Sequence, residues 1–82
     1  DRHAALAPAL DQLGELEREA GNLEASIERF GEAGEIRDAA LGVDHPETAT
    51  TLVGMARTFL AMGKHETAKG ALEAAKRILG TH

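Results

Sequence analysis

The sequence contains no cysteine, tryptophan or tyrosine, and only two phenylalanines and two prolines. Without cysteine the chain can form neither a disulfide nor a thiolate zinc site, a composition that suits a cytoplasmic protein. No apolar run approaches the roughly 18 residues of a membrane span, so we expect no membrane partner. The formal net charge is −5 and basic residues form no cluster. Because phosphate binding requires clustered lysine and arginine, we expect no nucleic-acid partner either.

Alanine and leucine dominate the apolar residues of this 82-residue chain, with 16 and 10 copies. The length gives room for one small domain. Each buried alanine removes little surface from water, at about 25 cal/mol per Å². Stability must therefore come from many close contacts between helices.

Apolar residues recur at spacings of three and four in four stretches, the spacing of amphipathic helices. No stretch alternates apolar and polar residues as a strand does, so the predicted fold class is all-α. In chain order the periodic residues are Leu6, Leu10, Leu13 and Leu16; Leu23, Ile27, Phe30 and Ala33; Leu52, Met55, Ala56, Phe59 and Met62; and Ala68, Ala71, Leu72, Ala75 and Ile78.

Glycine and proline mark the boundaries of these helices. Pro46 suits the first position of the third helix, and either Asp44 or His45 can cap it. Pro8 lacks the N–H that a helix interior needs, so we expect the first helix to begin near Ala7 rather than to bend there. The other predicted boundaries are Gly21-Asn22, Leu41-Gly42, Gly63-Lys64 and Gly80.

The chain resembles itself at an offset of 42 residues. Repetition of a helix–turn–helix unit with a period of about 20 to 50 residues is typical of a helical solenoid. Large residues align with large and small with small in the pairs His3 with His45, Ala7 with Ala49, Leu10 with Leu52, Gly21 with Gly63, Glu24 with Glu66, Phe30 with Leu72, Ala33 with Ala75 and Ile36 with Ile78.

Small residues stand at four related positions, Gly14, Ser26, Ala56 and Ala68. They would let helix axes approach to about 8 to 10 Å. The larger residues expected to fill the space beside them are Leu10, Leu13, Phe30, Leu52, Met55, Phe59 and Leu72.

The second unit carries a family pattern. Its residues are Leu41-Gly42-Val43-Asp44-His45-Pro46-Glu47-Thr48-Ala49-Thr50-Thr51-Leu52, then Met55-Ala56, Phe59, Gly63-Lys64, Glu66, Ala68, Leu72 and Ala75. This pattern resembles the tetratricopeptide repeat, in its longer kinesin-light-chain type. The first unit matches more loosely, through Leu10, Leu13-Gly14, Gly21 and Phe30, with Ser26 where the family prefers alanine.

The resemblance implies two antiparallel helical hairpins that form a short right-handed α-solenoid. It implies one domain over residues 1–82, with repeats at 3–42 and 45–80. Such arrays usually need at least about three repeats. We therefore expect either a fragment of a longer array or a homo-oligomer that forms through the exposed end faces of the repeats.

The resemblance also implies a non-catalytic module that binds a polypeptide in a concave groove lined by the first helix of each repeat. Residues on the helix face opposite the packing stripe are the candidate peptide contacts. These are Asp11, Glu15, Arg18, Thr50, Val53, Arg57 and Leu60. The family often has asparagines where Val53-Gly54 stand here, so we do not expect amide side chains to clamp a peptide backbone.

A second interpretation is a structural spacer or self-associating segment within a larger multidomain signalling protein. Residues 1–42 carry ten acidic and four basic side chains, and residues 43–82 carry four and five. Solvated helix faces account for this asymmetry. Two alternatives are that the halves meet different stretches of one ligand, or that neighbouring copies attract end to end.

The sequence predicts neither an enzyme nor a cofactor site. Alternating Glu15, Glu17 and Glu19 fan out around a helix axis and cannot form a paired acid and base. The single serine, Ser26, lacks a glycine elbow, and no glycine-rich phosphate loop occurs. No metal is expected, because no spacing places two ligands on one helix face for any of the four histidines, His3, His45, His65 and His82.

Overall fold

A computed structural model describes residues 2–80, with side chains from residue 4 onward. Its helices are α1 (Arg2–Glu19), α2 (Leu23–Leu41), α3 (Pro46–Ala61) and α4 (His65–Gly80). Helix α1 packs on α2 and α3 on α4, while α2 joins the two hairpins by packing on α3. No strand occurs within residues 2–80. The predicted all-α fold of two hairpins in a short solenoid is confirmed. The histidines at positions 3 and 82 lie outside the described side chains.

The two hairpin turns are built alike, 42 residues apart. Gly21 and the residue after it donate their N–H groups to carbonyls of the last turn of α1, at 3.0 and 2.8 Å. Gly63 and the residue after it do the same on α3, at 3.0 and 2.9 Å. This Schellman arrangement requires a positive φ, and the two glycines adopt 87° and 80°. The predicted equivalence of Gly21 and Gly63 is therefore confirmed.

Helix α3 begins at Pro46, as predicted, and His45 is its N-cap residue. The backbone N–H of Glu47 donates to Nδ1 of His45 at 3.2 Å. This bond satisfies one of the free N–H groups of the first turn. Of the two capping residues that the sequence allowed, the histidine occupies the position.

The predicted start of α1 near Ala7 was wrong, since the helix begins at Arg2 and contains Pro8. Proline has no N–H to donate to the carbonyl of Ala4. Pro8 is exposed, so water can reach that carbonyl, whereas its neighbour Ala7 is buried. The burial of this turn outweighs the single lost hydrogen bond.

The ring of Phe30 on α2 is the centre of the packing, with only 1% of the residue exposed. A Cβ atom added to Gly14 of α1 would lie 2.8 Å from this ring, and one added to Gly54 of α3 would lie 2.4 Å from it. Two glycines on different helices thus form a slot for one aromatic ring. The sequence predicted the close approach at Gly14 but not the one at Gly54.

Two buried hydroxyl groups join the same three helices as this ring. Ser26 Oγ donates to the carbonyl of Gly14 at 2.7 Å and lies 2.9 Å from Thr58 Oγ1. Thr58 Oγ1 also lies 3.1 Å from the carbonyl of Gly54. Because the backbones of α1 and α2 approach closely at Gly14, the short side chain of Ser26 reaches the carbonyl of that glycine, whereas the bond of Thr58 to Gly54 lies within α3. Ser26 therefore has a bonding role that alanine could not fill.

Leu13 and Leu72 were predicted to fill the core, and that prediction was wrong. They are 44% and 41% exposed. Leu13 lies on α1 and Leu72 on α4, the first and last helices that the structure describes. Among the described helices α1 contacts α2 and α3, and α4 contacts α3 alone. The positions have core character, but no further hairpin covers them within residues 2–80.

We expect Gly54→Ala to destabilise the fold by about 1 to 3 kcal/mol, because the added methyl group overlaps a ring that α1 and α3 hold from both sides. Urea unfolding monitored by circular dichroism measures this change. Combining Gly54→Ala with Phe30→Leu should cost less than the sum of the two single changes, because the smaller side chain vacates the slot.

The matched control is Gly70→Ala on α4, where an added Cβ meets nothing within 4 Å. Alanine is the better helix former, so this change should stabilise by about 0.5 to 1 kcal/mol. If Gly54→Ala and Gly70→Ala change the free energy of unfolding equally, Phe30 is not enclosed tightly at Gly54 and the slot is wrong.

Candidate functional site

A hollow of about 280 Å³ lies between α1 and α3. Four of the seven predicted peptide contacts meet around it: Glu15, Thr50, Val53 and Arg57. The remaining lining residues are Ala49 and Gly54 of α3 and Leu79 of α4. Its volume is at the small end of ligand sites, which suits one or two side chains of a bound segment rather than a whole small molecule.

The floor of the hollow is apolar because α3 is almost free of charge. Among its 16 residues only Glu47 and Arg57 are charged. Ala49 and Gly54 are buried, and Val53 packs against the small core cluster that contains Ala49. An apolar side chain of a ligand bound here would be removed from water, and no charged group in the floor would be buried with it.

Two charged side chains stand at the rim of the hollow. Glu15 forms an ion pair with Arg18, one turn further along α1. Arg57 is exposed, and none of the acids that the structure describes pairs with it. The rim therefore presents one balanced pair and one uncompensated guanidinium.

Asp11 belongs to a buried polar cluster rather than to the open groove. Its carboxylate forms an ion pair with Arg37 of α2, which also donates to the hydroxyl of Thr51 on α3 at 2.7 Å. That hydroxyl donates to the Asp11 carboxylate at 3.2 Å. Arg37 is 6% exposed and Thr51 1%, and the Asp11 side chain keeps 15% of its surface exposed. Only this exposed edge can reach a ligand.

Sequence reasoning missed this cluster, although a signal was present. Arg37 continues the apolar positions Phe30 and Ala33 at helical spacing, and a charge in such a stripe must find a partner if the helix buries that face. Leu79 was missed as well. It reaches the hollow because α4 runs antiparallel to α3, so the end of α4 lies beside the start of α3.

The last two predicted contacts, Arg18 and Leu60, lie outside the hollow. Leu60 is exposed near the end of α3. Arg18 is partly buried beside Glu15, and its Nε–H is buried without a hydrogen-bond partner among the described residues. A larger hollow of about 610 Å³ beside the hairpin turns contains none of the seven predicted residues.

Among the residues whose structure is described, no group of three or more metal-ligating side chains occurs. None of their helices combines the length and the apolar character needed to cross a membrane.

A protein-family model described as tetratricopeptide repeat matches residues 5–80. The matched span includes all four helices, apart from the first residues of α1. No curated protein and no solved structure gives a significant match to the chain.

We expect Asp11→Asn to destabilise the fold by about 3 kcal/mol, because it leaves the buried guanidinium of Arg37 without a counter-charge. The measurement is the free energy of unfolding in urea. Replacing both partners, Asp11→Leu with Arg37→Met, should cost less than Asp11→Asn alone, since no unpaired charge remains.

Glu15→Gln is the control, because it also neutralises one carboxylate of α1, but in a more exposed pair. Its expected cost is below about 1 kcal/mol. If Asp11→Asn costs no more than Glu15→Gln, the buried cluster does not hold the two hairpins together.

Proposed function

The chain belongs to the tetratricopeptide repeat family, and we propose that it binds a polypeptide segment, without catalysis, in the groove between α1 and α3. Repeats of this family generally mediate protein–protein interaction. The observation that carries the proposal is the convergence of Glu15, Thr50, Val53 and Arg57 on one hollow. An apolar floor with a few polar groups at its rim is the usual composition of a recognition site.

The chemistry of the groove favours side-chain recognition over capture of the ligand backbone. The floor at Val53 and Gly54 offers no amide side chain, and Gly54 cannot be exchanged for one because Phe30 occupies the space beside it. An apolar side chain of the ligand would fill the hollow. Arg57 would form the charged contact at the rim, and Thr50 offers a hydroxyl.

The other three predicted residues extend this contact along the two helices. Leu60 would add an apolar contact beyond the hollow, towards the end of α3. Asp11 and Arg18 would contribute through the parts of their side chains that Arg37 and Glu15 leave accessible. In this proposal they are peripheral contacts, with Arg57 and Val53 at the centre.

We further propose that the repeats are of the kinesin-light-chain type and belong to a longer array, with 1–82 as one domain and repeats at 3–42 and 45–80. The repeat length of 42 residues supports the subtype, together with the Asp44-His45-Pro46-Glu47 turn. The exposed leucines on α1 and α4 support the longer array, because a neighbouring repeat would cover them.

A second candidate function is that of a structural spacer or self-associating segment in a larger signalling protein. Three leucines of α1 favour it: Leu6, Leu13 and Leu16 are all exposed, at a spacing that places them on one helix face. An exposed apolar stripe of this kind marks an interaction surface.

The test is selection of peptides from a random display library on the folded chain, followed by calorimetric titration of the purified peptides. Arg57→Glu should weaken binding at least tenfold, or about 1.4 kcal/mol, because it reverses the one uncompensated charge at the rim. Arg57 is exposed, so the variant should keep its helix content and melting temperature.

Arg29→Glu is the matched control. Arg29 is a partly exposed arginine on α2, outside the hollow, and its one ion pair among the described residues is with the neighbouring Glu32. Its reversal should leave the affinity unchanged. Selected peptides that bind wild type, Arg57→Glu and Arg29→Glu equally well would show that the ligand lies elsewhere on the molecule.

A further inference from the structure

Two outer faces of the solenoid have no helix packed on them among the described residues. We define the α1 outer face as Leu6, Ala9, Leu13 and Leu16, and the α4 outer face as Lys69, Leu72, Lys76 and Leu79. All eight residues are exposed. In each face the spacing is three or four, so the side chains lie on one stripe of the helix.

The repeat relates both faces to an interface that already exists inside the chain. At an offset of 42, the α1 outer face corresponds to the α3 residues Thr48, Thr51, Met55 and Thr58. The α4 outer face corresponds to the α2 residues Ile27, Phe30, Gly34 and Arg37. These two sets of residues meet where α3 packs on α2: Arg37 donates to Thr51, and a Cβ atom added to Gly34 would lie 3.6 Å from the Thr51 side chain.

We propose that the α1 outer face of one copy of this chain docks on the α4 outer face of a second copy, in the register that α3 adopts on α2. The copies would form a head-to-tail stack that continues the solenoid. This inference deepens the self-associating function proposed above. It shares one residue, Leu79, with the lining of the groove, and its test needs no bound peptide.

The apolar character of the α1 outer face supports docking. Three leucines and an alanine stand where α3, which is covered by α2, has three threonines and a methionine. The uncovered stripe is thus more apolar than the covered one. Burial of exposed leucines contributes about 25 cal/mol per Å² of apolar surface.

The volumes of the side chains also match in this register. Inside the chain, the large ring of Phe30 fits between two glycines, Gly14 and Gly54. At the proposed contact, the smaller Leu72 would fit between Ala56 of its own copy and Gln12 of the next. Compared with the contact inside the chain, the central side chain is smaller and its two neighbours are larger, so the changes in side-chain volume compensate.

Charge favours pairing of unlike ends. Residues 1–42 have a net charge of −6, whereas residues 43–82 have +1. Two α1 outer faces packed together would bring two acidic halves into contact, but the head-to-tail contact joins an acidic half to a basic helix face. Inside the chain Ser26 contacts Thr58. At an offset of 42 the equivalent residues are Ala68 and Leu16, which would face each other across the contact between copies. Lys69 would then lie within about one helical turn of Glu19 of the next copy.

The experiment measures the mass of the wild-type chain by sedimentation equilibrium between about 10 μM and 1 mM, the range of a weak contact. A head-to-tail contact does not close on itself, so the stack grows with concentration. The average mass should rise beyond twice the monomer mass of 8.6 kDa.

Two variants block one face each: Leu13→Lys on α1 and Leu72→Lys on α4. Each alone should remain a monomer. Their equimolar mixture should form a dimer and stop there, because only one compatible pair of faces remains and the two blocked faces repel each other. Both leucines are exposed, and circular dichroism should show unchanged helix content.

Leu41→Lys is the matched control, a leucine with the same exposure as Leu72, 41%, that lies outside both faces and outside the groove. It should associate as the wild type does. If Leu72→Lys alone still dimerises, the copies pair through α1, which overturns the head-to-tail register but retains self-association. If the wild type stays monomeric at about 1 mM, self-association itself fails, and the two faces are left to the flanking repeats of a longer array. The groove proposal then stands unaffected.

Discussion

The fold depends on the contact of one aromatic ring with two glycines. Phe30 is one of only two aromatic residues in the chain. It lies on α2 and touches the other two helices that meet at the junction of the hairpins, α1 and α3. In a core made mostly of alanine, this ring supplies the largest single buried area. The helices must approach closely enough to enclose it, and only glycine at positions 14 and 54 permits that distance.

This close approach explains why the junction is also polar. Where the backbone of α1 comes near α2, the carbonyl of Gly14 is within reach of Ser26, whose hydroxyl also meets that of Thr58 on α3. The nearby gap between Asp11 and Thr51 accommodates Arg37. Apolar contacts are not directional, whereas each of these hydrogen bonds fixes one register. The junction therefore combines packing with a specific alignment of the two hairpins, and that alignment sets the shape of the groove.

The sequence predicted the local structure well and the junction only in part. Turn glycines, the Pro46 boundary and the 42-residue offset depend on nearby residues, so α2, α3 and α4 were placed correctly. The start of α1 was predicted wrongly at Pro8, because the hydrogen bond that proline loses inside a helix is offset by the burial of Ala7. Gly54 and Arg37 make their contacts with other helices, and a glycine or arginine has the same local signal whether it is exposed or enclosed. Similarly, periodicity identifies Leu13 as an interface residue but does not say what covers it.

Helix α1 links the groove and the stack, because it carries both surfaces. Its face towards α3 contributes Glu15 to the hollow, and its outer face carries the leucine stripe. If α1 of the next copy lies against α4 as α3 lies against α2, its groove face stands in line with that of α3 in the first copy. The two candidate functions are then compatible, because each added copy would lengthen the same concave surface. A polypeptide too long for one hollow would bind several hollows in sequence, and its affinity would rise with the number of stacked copies through the higher effective concentration.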